Sequence, residues 1–305
     1  MKKWGSFVLL SLILLLTACS QSETTSNTKQ DNNDQNSTEQ ENQQEENGQN
    51  TSQDNNTEGS EQEGQETEQK ENEKSDKQDQ KDKEESDKEE VKEPKYKVTG
   101  NWSIKPIGDA NEKVVLLTID DTPDKNGLEM AKTLKELNAP AIFFVNGHFI
   151  NTEEEKETLK KIHEMGFAIG NHTMNHKALK SNGNPIAEDI QKEQILGLSD
   201  LIEEVIGERP KFFRAPHGLN TDYSMELAKQ EKMAVMNWSY GYDWNQKYMS
   251  EDAIADIMVN TPYLSNGSNL LMHDREWTAK ALDDIVKGLR EKGYELVDPE
   301  EIKTP

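Results

Sequence analysis

Val114-Val115-Leu116-Leu117-Thr118-Ile119-Asp120-Asp121 is an apolar run that ends in two adjacent carboxylates. Compact, Val- and Leu-rich and only a few residues long, it reads as a buried strand, and the two acids stand where the strand leaves the core. Comparable runs recur at Ala141 to Asn146, Phe167 to Asn171, Phe212 to Phe213, Ala234 to Trp238, Asn269 to Met272 and Glu295 to Val297. Between them lie helical patterns. Leu128, Ala131, Leu134 and Leu137 repeat at three-residue spacing, Ile186 to Ile206 runs until Gly207 and Pro210 stop it, and Ala253 to Met258 and Ala279 to Leu289 continue the theme. About seven βα repeats predict an α/β fold, and that count suits a barrel of parallel strands better than an open sheet, although periodicity alone does not close the ring. In such barrels catalytic groups collect at the carboxyl ends of the strands.

The chain ahead of this region has a different character. From Ser20 to Glu90 there is no apolar residue, so the segment has nothing to offset the entropy of ordering and reads as a disordered tether. Residues 20–97 carry 24 acidic and 10 basic side chains and residues 98–305 carry 35 and 23, so both parts are acidic within a formal charge of -24. Neither offers the basic face that a phosphate backbone needs, and nucleic-acid binding is excluded on that ground. At the start, Lys2 and Lys3 precede the apolar stretch Phe7 to Leu16, and Leu16-Thr17-Ala18-Cys19 follows, the layout of an export signal too short to span a bilayer. Cys19 is the only cysteine. Its setting resembles the lipobox of bacterial lipoproteins, which implies a signal peptide over 1–18, a lipid anchor at Cys19, a tether over 19–97 and a folded domain over 98–305. The expected location is the extracytoplasmic face of the cell membrane, with the protein acting as a single copy.

Polar residues stand at the expected strand ends. Asp120 and Asp121 admit two readings: one carboxylate ligating a cation while the other takes a proton, or a helix cap before Pro123. His172-Thr173-Met174-Asn175-His176 places two imidazoles four positions apart, and they face the same way if the segment makes a helical turn. With one aspartate they supply three protein ligands and leave a position open, the layout of a catalytic zinc site. Arg214, Asp243 with Trp244, and His273 follow later strands; taken singly they read equally well as an ion pair, a turn and a buried histidine.

In order, these motifs resemble the polysaccharide deacetylase family, the carbohydrate esterases with the NodB homology domain, over about Lys113 to Val297. Thr118-Ile119-Asp120-Asp121 corresponds to the first family motif, and His172, Thr173 and His176 to the second. Arg214-Ala215-Pro216-His217 corresponds to the third, with His217 in place of Tyr. Asp243 and Trp244 match the fourth, with Tyr240 where the family has Asp, and Leu271-Met272-His273 matches the fifth. The resemblance implies a distorted (β/α) barrel and a divalent metal, usually zinc with cobalt or nickel able to serve, on Asp121, His172 and His176. It further implies Asp120 as general base oriented by Arg214, and His273 as general acid oriented by Asp243. Trp244 and Leu271 would wall the acetyl pocket, and the main-chain N–H of His217 would face the oxyanion. The expected reaction is removal of N-acetyl groups from an N-acetylglucosamine-type polysaccharide of the cell wall or an exopolysaccharide. Chitooligosaccharide deacetylation and a non-catalytic glycan-binding lipoprotein are the alternatives. The two departures, His217 and Tyr240, are expected at the cleft rim.

Overall fold

The computed structural model describes residues 93–305; the expected signal peptide, Cys19 and nearly all of the tether lie outside the described residues. The described chain opens with an antiparallel pair, β1 (Tyr96–Val98) and β2 (Ile104–Pro106). There follow β3 (Val114–Thr122), α1 (Gly127–Glu136), β4 (Ala141–Val145), α2 (Glu153–Glu164) and β5 (Ala168–Asn171). A small hairpin, β6 (Lys180–Ser181) and β7 (Asn184–Pro185), precedes α3 (Glu188–Ile206), β8 (Phe212–Phe213) and α4 (Asp222–Gln230). The chain finishes with β9 (Ala234–Val235), β10 (Tyr240–Gly241), α5 (Glu251–Asn260), β11 (Ser268–His273), α6 (Glu276–Glu291) and β12 (Glu295–Leu296).

One parallel sheet runs in the order β10-β11-β3-β4-β5-β8-β9. β12 joins it at Val114 and Val115, on the edge of β3 that β4 occupies from Leu117 onward. The seven expected strands are all present, and β10 adds an eighth. The expected strand from Ala234 to Trp238 is cut short for a reason that bears on the site. After Val235 the chain crosses from one end of the curled sheet to the other: Met236 N–H donates to the Phe213 carbonyl (3.0 Å), and Ser239 N–H to that of Asn269 (2.8 Å). A single bent segment therefore joins the ends of the curl where an undistorted barrel would have a ladder.

Strand periodicity divides the side chains into two sets. On β3, Val115, Leu117 and Ile119 face the helical layer with Met130, Leu134, Ile285 and Leu289. Val114 and Leu116 face the interior with Ile142, Phe144, Phe212 and Met236. Each fully buried Leu or Ile contributes about 1.5–3 kcal/mol, and this double burial explains why β3 reads as a continuous apolar run. Gly170 lies where a Cβ would stand 2.5 Å from the Phe144 ring, so the interior is close-packed enough at β5 to require glycine. The interior set continues as Thr118 and Asp120 on β3, Asn269, Leu271 and His273 on β11, His172 after β5 and Arg214 after β8. Period two thus carries the polar residues to one mouth of the barrel.

Candidate active site

Arg214 is the largest fully buried side chain in the described residues. Its Nη1 donates to Asp120 Oδ1 at 2.5 Å and to Thr118 Oγ1 at 2.9 Å, while Nε and Nη2 donate to the carbonyls of Met236 (3.3 Å) and Asn237 (2.9 Å). Asn269 Nδ2 donates to the same Asn237 carbonyl at 2.8 Å. The guanidinium therefore sits where the sheet lacks a ladder, using the free carbonyls of the bent segment and fixing Asp120 by one oxygen. Burial presses its pKa down, and the Asp120 charge opposes that.

The second oxygen of Asp120 lies 3.5 Å from His172 Nε2. Asp121 should face the helices by strand alternation, but its backbone is left-handed (φ 58°), and its carboxylate reaches the same mouth. Asp121 Oδ1 lies 3.9 Å from His172 Nε2 and 3.5 Å from His176 Nε2, and it accepts a hydrogen bond from Asn146 Nδ2 at 2.7 Å. The two imidazoles meet without the segment making a helical turn. Thr173 and His176 both have positive φ (70° and 55°), and the loop hangs on α3, with Met174 N–H donating to the Gln194 carbonyl at 2.9 Å. An irregular loop replaces the helix because Asn171 and Gln194 take its amides: Thr173 N–H donates to Asn171 Oδ1 and Asn175 N–H to Gln194 Oε1.

The donor set suits a divalent cation. Ligand atoms of Asp121, His172 and His176 all lie within 4.8 Å of one another. His172 Nδ1–H donates to the Arg214 carbonyl at 2.7 Å, which leaves the Nε2 lone pair turned toward Asp121. Burial lowers the His172 pKa, and burial together with neighbouring His172 brings His176 down to about 4, so both rings are neutral ligands at pH 7. Burial pushes Asp121 up, but the surrounding imidazoles, His172 foremost, outweigh it and leave the carboxyl below its ordinary range. One carboxylate and two neutral imidazoles fit a three-residue divalent-metal site.

Across the mouth, His273 Nδ1 pairs with Asp243 Oδ1 at 2.7 Å, and His273 N–H donates to Asp243 Oδ2 at 2.6 Å. Asp243 is itself buried and held by Thr278 Oγ1 at 2.9 Å. Burial works to lower the His273 pKa, but the Asp243 hydrogen bond and charge overcome it and raise the value. Trp244 is 49% exposed, with its ring 5.4 Å from that of His273, and Leu271 lies buried on the interior face of β11 beside them. His217 is exposed at the rim, its ring 5.0 Å from that of His176.

Tyr240 corrects an expectation. It is not at the rim: it is buried among the helix-facing apolar residues, and its hydroxyl donates to the Met258 carbonyl on α5 at 2.8 Å. The strand that carries it alternates away from the cleft, so this departure leaves the rim untouched. His148 is exposed, and His163 stands 4.0 Å from Glu208, neither joining the site.

Three contributors escaped the sequence reading. Asn146 holds Asp121, as above. Asp274 is buried and accepts from the N–H groups of Asp124, Asn126 and Gly127, all at 2.7 Å, pinning the loop after Asp121 to the end of β11. Arg275 Nη2 lies 3.6 Å from Asp121 Oδ2. For Asp274 the signal was its place directly after His273; Asn146, at the end of an apolar strand, offered none.

A donor triad able to hold a cation, a carboxylate clamped by Arg214 and a histidine backed by Asp243 make a set of groups suited to hydrolysis. Known proteins agree. The model of the polysaccharide deacetylase family matches residues 107–236. A peptidoglycan-N-acetylglucosamine deacetylase of Bacillus cereus is 33% identical over 196 residues, covering 60% of this chain and 68% of that one. The peptidoglycan-N-acetylmuramic acid deacetylase PdaC of Bacillus subtilis is 32% identical over 209 residues, 68% of this chain; the match spans only 42% of that longer protein. A solved CE4 family pseudoenzyme from Bacillus anthracis shares the fold at a TM-score of 0.56 and 24% identity, over 63% of this chain and 67% of that one. The chain belongs to the polysaccharide deacetylase family.

Proposed function

We propose that the protein is a metal-dependent N-deacetylase of cell-wall peptidoglycan, held on the outer face of the cell membrane through lipidated Cys19 and the acidic tether. The observation that carries the chemistry is the presence of two held proton-transfer groups at the mouth that carries the donor triad: Asp120 clamped by Arg214, and His273 backed by Asp243. A glycan-binding protein has no need of such a pair. The two deacetylases among the relatives above are named for peptidoglycan sugars, and an envelope anchor would keep the enzyme beside that polymer.

Asp121, His172 and His176 would hold the cation, which when bound supplies Lewis acidity toward a water and the amide carbonyl. Zinc suits this donor set, and cobalt or nickel would serve. The rest is assigned to side chains. Asp120, with one oxygen committed to Arg214, uses the other to take a proton from the attacking water. The main-chain N–H of His217 faces the oxyanion as it develops, a role that survives replacement of the side chain. His273, whose protonated form Asp243 favours, gives its proton to the departing amine. Trp244 and Leu271 line the apolar side next to His273, where the acetyl methyl would lie.

Acetate release from purified peptidoglycan, with and without chelator and with zinc restored, tests the reading. Activity that chelation removes and zinc restores is the expected result; release that ignores chelation would refute the cation's part. In Asp120→Asn, turnover should fall about 10²–10⁴-fold while zinc stays bound by calorimetry. Release of the protein from membranes by Cys19→Ala, read by fractionation, tests the anchor.

A further inference from the structure

The geometry points to Arg275 as the residue that selects N-acetylmuramic acid over N-acetylglucosamine, by binding the lactyl carboxylate of the muramoyl sugar. This rests on the deacetylase reading above and names the sugar within it.

Arg275 is built as a fixed cation on the rim. The residue before it, Asp274, is buried and locked by three backbone N–H groups of the loop after β3, and the residue after it starts α6. Its backbone is therefore immobilised on both sides, while its side chain is 39% exposed. Among the described residues its guanidinium makes one recorded contact, a long one of 3.6 Å to Asp121 Oδ2, and that carboxylate belongs to the donor triad. The oxygen it approaches, Oδ2, is not Oδ1, the one nearest the two imidazoles, so the guanidinium borders the donor triad without competing for its ligand atom, and the contact is too long to be a hydrogen bond. The other guanidinium of the site, Arg214, is buried and spent on Asp120 and four further oxygens.

The chemistry of the sugar fits this position. The scissile acetamido group is on C2, and muramic acid carries its lactyl ether on the neighbouring O3, so a carboxylate lies beside the reacting amide. Arg275 follows His273, the proposed acid at the amide nitrogen, by two residues, and its guanidinium stands beside Asp121 of the triad. A forked guanidinium binds a carboxylate with two parallel donors. Residues 98–305 carry 35 acids against 23 bases, so an anionic sugar is repelled overall and its entry needs a local cation. Glucosamine, with a free O3 hydroxyl, gains nothing from it.

The test uses the full chain loaded with zinc, acting on peptide-free glycan strands in which the two N-acetyl sugars alternate. Mass spectrometry of the digested product reads which sugar has lost acetate. Wild type should deacetylate muramic acid preferentially. Arg275→Ala should lower the muramic-to-glucosamine ratio of kcat/KM about 10-fold, the worth of one charge-assisted contact, through a higher KM for muramic units. Arg275→Lys should recover part of it. A wild type that prefers glucosamine overturns the assignment while leaving the deacetylase reading intact. So does an Arg275→Ala variant that loses both sugars equally and binds zinc more weakly by calorimetry, since Arg275 then only holds Asp121. Acetate from neither sugar overturns the deacetylase reading, and this assignment with it.

Discussion

Two arginines flank the same short strand, β8, and they live under opposite rules. Arg209, before it, is 36% exposed and meets three carboxylates: Asp200 (2.8 Å), Glu203 (2.7 Å) and Glu231 (2.7 Å). Arg214, after it, is fully buried and meets one, Asp120. Counting ion pairs ranks Arg209 first. Physics ranks it last, because water can replace an exposed pair at little cost, whereas a buried charge left alone has nothing to replace its partner. The end of the barrel that carries chemistry is held by few, dry, irreplaceable contacts; the opposite end is held by many wet ones.

The sharpest way to break this contrast is Arg214→Met, which removes the cation and leaves the Asp120 carboxylate buried and unpaired. Stability should fall by about 3–5 kcal/mol, read by urea unfolding, and deacetylation should vanish with it. Adding Asp120→Asn to that variant should cost far less than the two single changes summed, since the second removes a charge the first had already stranded. Additive losses would mean that the pair does not act as a unit.

A second test moves to the other proton-transfer group. His273 must be protonated to serve as acid, and Asp243 holds its pKa above the ordinary imidazole value. The alkaline limb of kcat/KM therefore lies above that value in the wild type. Asp243→Asn removes the charge, so the limb should shift to lower pH with its shape preserved. The sign for stability is the same: this pair contributes below the unfolded imidazole pKa and loses its contribution as pH rises through the raised folded value. A limb that does not move would assign it to a group other than His273.

The sequence revealed much of this because period two leaves a trace. Thr118 and Asp120, Asn269 and His273, and Phe212 and Arg214 sit on interior faces of strands whose apolar residues alternate around them, so strand ends and site residues were legible together. What it hid has particular causes. α2 buries only Leu159 and Ile162 among its polar residues, too few to show a period, although Thr152 and Glu155 form a capping box that marks its start. α4 begins at a similar box, between Thr221 and Ser224. β10 is two residues long and continues β9 across the gap, so no turn signal separates them. The left-handed backbone at Asp121, Thr173 and His176 belongs to non-glycine residues, and nothing in their identity announces it. The spacing of the imidazoles therefore cannot tell a helical turn from this loop, and motif position alone points Tyr240 to the rim where its strand face turns it toward the helical layer.

The smallest expected effect belongs to Arg209→Ala, and it tests the contrast from its weak side. The hydrogen bonds Arg209 donates to Asp200 first, then to Glu203 and Glu231, raise its pKa, so the carboxylates favour its charge. That attraction is screened, because a third of the side chain meets solvent and the acids around it are themselves exposed, Asp200 at 68% and Glu203 at 49%. Removing the guanidinium also leaves three like charges facing one another, and water and salt can relieve that repulsion. The net cost should be about 1 kcal/mol or less, smaller in 0.5 M salt than in dilute buffer, with acetate release unchanged. Should it instead approach the loss in Arg214→Met, Arg209 would be holding α3, which carries Asp200 and Glu203, against Glu231 at the end of α4 as a structural clamp, and burial would no longer rank the two arginines.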